Sequence, residues 1–397
     1  MAEERIDRLR RQALIHSAFT PNTPVNRLDL FAGRTSQIER IFGAVFSPGQ
    51  HAVIFGERGV GKSSLANIIY DVVVGTGQHT FIPARVNCSQ GITFDAIWRE
   101  VFKQLPITRE GETYHIDELV ASSPNSEEIR GLLEQLDNPS IIVIDEFDRV
   151  DATVAALMAD TLKTLSDRAT ETTLVIAGVA DSIDQLIEEH ESVNRALVQV
   201  QMPRMSIEEL LETIDKGLTK AAMAMPDSLK SRIASLSQGL PHYTHLLAKL
   251  AALAALKNDR LEVNQSDYDA AIGEAVADKT QTLGKSYQKA THSPKKNIFA
   301  QVLLACALAA DRSGYFSAKN VRDPLRMITN QDYDIQAYTR HLNQFSQESR
   351  GPILKKEGIT RRFQYKFIEP LMQPYVVMRG LADRLISEES FRLAIQR

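Results

Sequence analysis

The residues best equipped for chemistry stand in one run, Gly56-Glu57-Arg58-Gly59-Val60-Gly61-Lys62-Ser63. The run fits G-x-x-x-x-G-K-[ST], whose glycines let backbone N–H groups curl inward around a nucleotide's phosphates. Lys62 is the candidate partner of the β- and γ-phosphates, and the Ser63 hydroxyl a candidate Mg²⁺ ligand. Ser64 completes the phosphate-binding set. A second chemical stretch is Ile141-Ile142-Val143-Ile144-Asp145-Glu146. Its four branched apolar residues read as a buried parallel strand that delivers two carboxylates to its C-terminal end, where open α/β sheets bind ligands. Alternation along a strand sends the two acids in different directions. Asp145 is the candidate metal holder through water, and Glu146 the candidate group that orients and activates an attacking water. ATP and Mg²⁺ are therefore the expected substrate and cofactor.

These groups need particular elements to position them. Ala52-Val53-Ile54-Phe55 reads as a buried strand entering the glycine-rich loop, and Ser64 to Tyr70 as the helix leaving it, with its positive dipole end facing the same point. Further strands are expected at residues 81–88, 174–179 and 197–200, with helices at 93–105, 127–136 and 152–168; residues 106–126 read as a loop with at most a short helix. The alternation predicts an α/β fold with a parallel sheet and helices on both faces. Residues 1–16 read as an amphipathic helix presenting Ile6, Leu9, Ala13 and Leu14, ended by Thr20-Pro21-Asn22-Thr23-Pro24. From Ser206-Ile207-Glu208-Glu209, a capping box, the pattern becomes all-helical to about residue 278. Residues 279–296, rich in Thr, Ser and Lys, read as a linker.

Beyond it, three helices and a hairpin around Glu357-Gly358 follow the order of a winged helix-turn-helix, with a helix over 371–386 ending the fold. In such a module the third helix, with Arg340, His341, Asn343 and Gln344, enters a major groove while the hairpin meets backbone phosphates. Lys355, Lys356, Arg361, Arg362 and Lys366 lie in or beside the hairpin, so Arg340 and these five are the candidate nucleic-acid contacts. Charge agrees. The chain of 397 residues carries a net charge of −4, yet residues 295–366 hold thirteen Lys and Arg against six Asp and Glu. A basic module on an acidic body points to a polyanionic partner, duplex DNA first. The expected organisation is an N-terminal helical extension (1–28), a P-loop core (29–205), a helical lid (206–280), a linker (281–296) and a winged-helix domain (297–397).

Composition narrows the class. With 24 % charged and 43 % hydrophobic residues, the chain is that of a globular protein. No apolar run approaches the ~18 residues of a membrane-spanning helix, and the charged start lacks a signal-peptide core, so the expectation is a cytoplasmic protein with no membrane contact. Cys88 and Cys306 are the two cysteines. They offer neither metal-ligand spacing nor a disulfide framework, as in a reducing compartment.

Taken together, the order resembles the AAA+ ATPases of the Orc1/Cdc6 initiator type over about residues 30–370. Phe31-Ala32-Gly33-Arg34 resembles that family's F-x-G-R entry motif, which implies that Arg34 helps line the adenine pocket. Val86-Asn87-Cys88 resembles its second strand, and Ile144-Asp145-Glu146-Phe147-Asp148 its Walker B. Ile176-Ala177-Gly178-Val179-Ala180-Asp181 resembles the sensor-1 strand, with Ala180 or Asp181 where Asn or Ser is usual. Asn194-Arg195 falls where the family directs an arginine at a neighbouring subunit's nucleotide, so the resemblance implies catalysis by Arg195 in trans within a homo-oligomer or with a partner ATPase subunit. Gly239-Leu240-Pro241-His242 departs from the initiators, which place an arginine about where His242 stands. Its G-x-P resembles the STAND and archaeal-type signalling ATPases, which implies that Pro241 and His242 sense nucleotide.

The leading expectation is an ATP-binding and hydrolysing switch coupling nucleotide state to assembly and to DNA or protein binding. The alternative is a STAND-like signalling or defence scaffold whose winged helix docks a protein and whose hydrolysis is minor. A metabolic kinase is disfavoured, because no acceptor-substrate domain is visible and the acid pair suits water activation.

Overall fold

The computed structural model describes residues 2–77, 80–120, 124–180, 182–187, 195–277, 282–294, 297–359 and 362–395, with side chains omitted at a few of these. Asp181 and Arg361 lie outside the described residues. The chain divides into two compact units, one of residues 24–57 and 61–202, the other of residues 1–23, 58–60 and 203–397.

In chain order the first elements are α1 (Ala2–Ala18), α2 (Thr35–Val45), β1 (His51–Gly56), α3 (Lys62–Val74), β2 (Ile82–Asn87) and α4 (Phe94–Phe102). A short hairpin of β3 (Pro106–Arg109) and β4 (Glu112–His115) follows, then α5 (Ser126–Leu133), β5 (Ser140–Asp145), α6 (Ala152–Asp167), β6 (Thr172–Val179) and β7 (Leu197–Gln201). The sheet unit is built on five parallel strands in the order β2-β5-β6-β1-β7. Val53, Ile54, Ile142, Ile144, Leu174, Val175 and Ile176 are wholly buried, as strands covered on both faces require. Register places Asn87 of β2 beside Asp145 of β5, and Gly56 of β1 beside Val179 of β6. All five strands therefore end at one edge, where the loops gather.

The hairpin is a correction to the loop expected at 106–126. Its turn is Glu110-Gly111, both at positive φ (52° and 84°), the conformation a tight two-residue hairpin turn demands. It is anchored by Ile107 and followed by a short 3-10 turn beginning at the buried Ile116.

The helical unit holds α1, then α7 (Ile207–Ala221), α8 (Asp227–Leu236), α9 (Pro241–Lys257), α10 (Gln265–Ala277), α11 (Thr282–Thr291), α12 (Phe299–Ala309), β8 (Tyr315–Ser317), α13 (Ala318–Thr329), α14 (Ile335–Phe345), β9 (Leu354–Glu357), β10 (Gln364–Phe367), α15 (Met372–Ala382) and α16 (Glu388–Ile395). Strands β8, β10 and β9 form an antiparallel sheet in that order. One apolar core runs from α1 through α7–α12 to α15 and α16. Helix α12 sits within it, apolar but for Gln301 and with Val302, Leu303, Ala305, Cys306 and Ala307 fully buried, as a helix inside a core should be.

Three readings change here. The expected face of α1 is exposed: Ile6 (49 %), Leu9 (56 %) and Leu14 (39 %) face water, while Ile15, Ala18 and Phe19 are buried. The Phe19 ring lies against Gly217 of α7, where any Cβ would fall 2.2 Å from it. The buried apolar contacts of α1 come from its last turn, while Arg8 Nη2, further back, donates to the Lys257 carbonyl at 3.1 Å. The stretch read as a linker contains α11, which buries Gly284, Tyr287 and Ala290 at helical spacing. The helix expected over 371–386 to end the fold is α15, which stops at Ala382, and a further helix, α16, follows it.

Candidate nucleotide site

The loop between β1 and α3 is held by its neighbours' backbones. Met202 N–H donates to the Phe55 carbonyl at 2.7 Å, and Ala180 N–H to the Gly56 carbonyl at 3.4 Å. These bonds pin the C-terminal end of β1 from the strands on either side. Gly61 (φ 99°) caps α3, a left-handed turn that a side chain would strain. The helix therefore starts at Lys62, which puts its positive dipole end at the loop. The Lys62 ammonium, only 8 % exposed, donates to the carbonyls of Gly56 (3.0 Å) and Glu57 (2.9 Å). A cation is thus fixed across the loop by the loop's own backbone.

Next to it the Ser63 hydroxyl donates to Asp145 Oδ1 at 3.2 Å, bringing together the two residues assigned to Mg²⁺. Asp145 is 4 % exposed. Its Oδ1 also accepts the Glu146 N–H at 2.9 Å, and its Oδ2 accepts Arg85 Nη2 at 2.7 Å. A buried carboxylate beside a hydroxyl, at a helix start with a lysine alongside, fits a divalent cation shared with phosphate oxygens. Among the described residues there is no group of three or more His, Cys, Asp or Glu that could hold a metal ion.

Glu146 takes the left-handed conformation (φ 56°, ψ 34°), worth on the order of 1 kcal/mol of strain in a non-glycine residue. Its carboxylate is exposed, and Oε2 meets Arg149 Nη1 at 3.2 Å. Asp148 braces the same turn by accepting the Val179 N–H at 2.7 Å, joining the end of β5 to the end of β6. Asp148 and Arg149 are thus both engaged within the chain. Cys88 lies beneath this edge, its thiol pushed up to about 12 by burial and then by Asp145, Glu146 and Asp148, which keeps it protonated and inert.

The other candidates have varied placements. Ser64 turns its hydroxyl to accept the Val25 N–H at 3.0 Å. Arg34 is buried, 3 % exposed, and caps α2 in a left-handed conformation (φ 65°). Arg195 is exposed just before β7. The loop's apex, Arg58, Gly59 and Val60, groups with the helical unit, where Arg58 Nη1 meets Glu369 Oε2 at 3.2 Å. In that unit Pro241 opens α9 at its first turn, the position where a missing N–H costs nothing. Gly239 before it has φ 78°, and a Cβ there would lie 2.6 Å from Arg204 Cβ. His242 Nδ1 lies 2.7 Å from the Pro21 carbonyl, and burial holds its pKa below the usual range. Of the basic hairpin, Lys355 Nζ pairs with Glu357 at 2.6 Å. Lys356 Nζ donates to Asn343 at 3.0 Å and lies 3.8 Å above the Phe363 ring. Lys366 Nζ lies 4.9 Å over Tyr315 and 4.0 Å from Glu357. Arg340 and Arg362 are exposed. His341 is not available to a groove: it is 5 % exposed and packs edge-on against Phe299 at 4.8 Å.

Sequence reasoning missed Arg85. The available signal was a lone charge in the apolar strand Phe81–Cys88; what it pairs with depended on the β2–β5 register.

A model of the family described as novel STAND NTPase 1 matches residues 20–344. No curated protein matches the chain. Among solved structures, the ORC2 protein of Aeropyrum pernix, solved as ADPNP–ADP complexes, is 16 % identical with a TM-score of 0.52, the match covering 96 % of this chain and 97 % of that one. A Walker-type ATPase of Pyrococcus abyssi is 15 % identical with a TM-score of 0.52, covering 89 % of this chain and 98 % of that one. At such identities the likeness is one of fold, the α/β architecture of the Orc/Cdc6 AAA+ proteins. The family match spans most of the chain and agrees with the loop, the lysine and the acid pair just described: the protein belongs to the novel STAND NTPase 1 family of nucleoside triphosphatases.

Proposed function

We propose that the chain is an ATP-hydrolysing switch whose nucleotide state is coupled to self-assembly and to a partner held by its C-terminal module. The observation carrying this is the Ser63–Asp145 pair beside the fixed Lys62 ammonium, at the start of α3. The loop's N–H groups and Lys62 bind the β- and γ-phosphates. Ser63 and Asp145 hold Mg²⁺, which when bound neutralises charge on the phosphoryl oxygens. Glu146 orients water on the γ-phosphorus; the new P–O bond to water forms as the bond to the β–γ bridging oxygen breaks, and the water's proton passes to the carboxylate. Arg34 belongs to the adenine side, Asp181 to the γ-phosphate side, and Pro241 and His242 to the nucleotide-sensing lid. The exposure of Arg195 suits a residue completing a neighbouring subunit's site. The chemistry is tested by steady-state ATP turnover of Lys62→Ala, expected to fall at least tenfold; wild-type turnover would remove Lys62 from the mechanism.

We read residues 29–205 as the core, 206–280 as the lid and 297–397 as a winged helix, supported by three helices, α12–α14, and a hairpin with a third strand. On this reading Arg340, Lys355, Lys356, Arg361, Arg362 and Lys366 meet duplex phosphates. A second reading, docking of a protein partner, is favoured by one observation: Glu357 pairs with Lys355 and lies near Lys366, drawing off part of the wing's charge. A salt titration of duplex binding separates them. Phosphate contacts predict affinity falling steeply with salt, whereas no binding at low salt supports a protein partner.

A further inference from the structure

The Asp145 carboxylate is engaged on both oxygens. Oδ1 faces Ser63 and its own following N–H, while Oδ2 is held by Arg85 Nη2 at 2.7 Å. Arg85 reaches it from β2, the strand paired with β5, and its Nε also donates to Asn87 Oδ1 at 3.3 Å. Asn87, two residues along the same strand, thus helps aim the guanidinium. Asp145 is nearly buried, whereas the Arg85 side chain is 31 % exposed, so the arginine has solvent into which it can withdraw.

We propose that Arg85 is a positioning residue that latches Asp145 and makes the divalent cation arrive together with the nucleotide. The inference rests on the reading that Ser63 and Asp145 hold Mg²⁺. A fixed guanidinium on one carboxylate oxygen offsets the negative charge offered to a cation and repels the cation at short range. A bare divalent ion must displace or tolerate Arg85 with only Asp145 in return. An ion already carried on a nucleotide's phosphates brings its own negative charge, which offsets the repulsion and offers the guanidinium an alternative anion. Arg85 therefore sets an order: metal–nucleotide complex first, Asp145 engaged second. The same pairing compensates a nearly buried carboxylate.

The test is Mn²⁺ binding followed by electron paramagnetic resonance on the full chain, without nucleotide and with ADP. Wild-type protein is expected to bind free Mn²⁺ at least tenfold more weakly than Arg85→Gln, and Arg85→Lys, which keeps the charge, should stay close to wild type. With ADP present, wild type and Arg85→Gln should converge to within about threefold. Superimposable titrations of wild type and Arg85→Gln without nucleotide overturn the latch. Should Arg85→Gln not fold, the wild-type chain still decides: the Arg85 guanidinium ¹⁵N signal, assigned by its loss in Arg85→Lys, is expected to shift when ADP alone is replaced by ADP with Mg²⁺. An unmoved signal overturns the latch. Asp145→Asn separates this failure from failure of the metal site, since unchanged Mn²⁺–ADP binding in that variant removes Asp145 as a ligand whatever Arg85 does.

Discussion

At the scale of residues, the site is a set of charges brought into fixed mutual positions by backbone bonds. Lys62 is aimed by two carbonyls, Asp145 by a hydroxyl, an N–H and a guanidinium, and Glu146 by a strained turn. The motif residues were legible because they are contiguous and their chemistry follows from type and spacing. Arg85 was not, since the strand carrying it gives no sign of its neighbour until β2 and β5 are in register. A different buried charge problem sets acid stability. His51 in β1 is fully buried, its Nδ1 accepts the Leu174 N–H at 3.1 Å, and burial lowers its pKa to about 4. The unfolded chain takes up this proton near pH 6.5 and the folded one not until about pH 4, so stability is full above 6.5 and is lost as pH falls between those values. The loss reaches about 3 kcal/mol at 1.36 kcal/mol per pKa unit. Trp98, the chain's one tryptophan and wholly buried in the sheet unit, reports that unit's unfolding. His51→Gln should reduce the fall in its urea midpoint between pH 7 and pH 4.5; an undiminished fall assigns the acid sensitivity elsewhere.

At the scale of elements, β5 and the β1–α3 unit were readable because parallel strands announce themselves as unbroken apolar runs. Helix α1 was readable as a helix, but its buried face was not. Its apolar residues allow more than one stripe, and the choice is made by Gly217, whose missing side chain admits the Phe19 ring. Helix α11 was hidden by its polar composition, although Gly284, Tyr287 and Ala290 repeat every three residues. The β3–β4 hairpin was hidden by shortness, its signal confined to Glu110-Gly111. Because Phe19 is fully buried in the core shared by α1, α7 and α9, Phe19→Ala should cost about 3–5 kcal/mol. Thermal melts followed by far-ultraviolet circular dichroism check it, and an unchanged melt would mean that α1 is an appendage.

At the scale of the whole molecule, the helical unit is more than a lid with a tethered module. A buried glutamine, Gln373 of α15, donates to the Ala307 carbonyl at 2.9 Å and to Gln238 Oε1 at 3.1 Å, and accepts Arg204 Nη1 at 2.6 Å. Tyr243 of α9 donates to the Leu371 carbonyl at 2.9 Å. These bonds, with the continuous apolar core, join the segment after β7 to the C-terminal elements, a union that a polar stretch at 279–296 did not announce. The basic character of the C-terminal stretch was legible, but its local compensation was not, because Glu357 meets Lys355 through the fold of one strand. The two lysines and Tyr315 hold the Glu357 carboxyl below its usual range. Glu357→Gln should therefore strengthen duplex binding several-fold at low salt and steepen its salt dependence by up to about one counterion; identical curves would take the wing out of any nucleic-acid contact.

On the proposed mechanism one set of groups binds the nucleoside triphosphate and another hydrolyses it. Glu146→Gln keeps the shape and removes the charge that acts on water. Measured side by side on one preparation, its ATP affinity is predicted to stay within about threefold of wild type while turnover falls on the order of a hundredfold. Turnover equal to wild type, or affinity lost in step with turnover, would contradict the account.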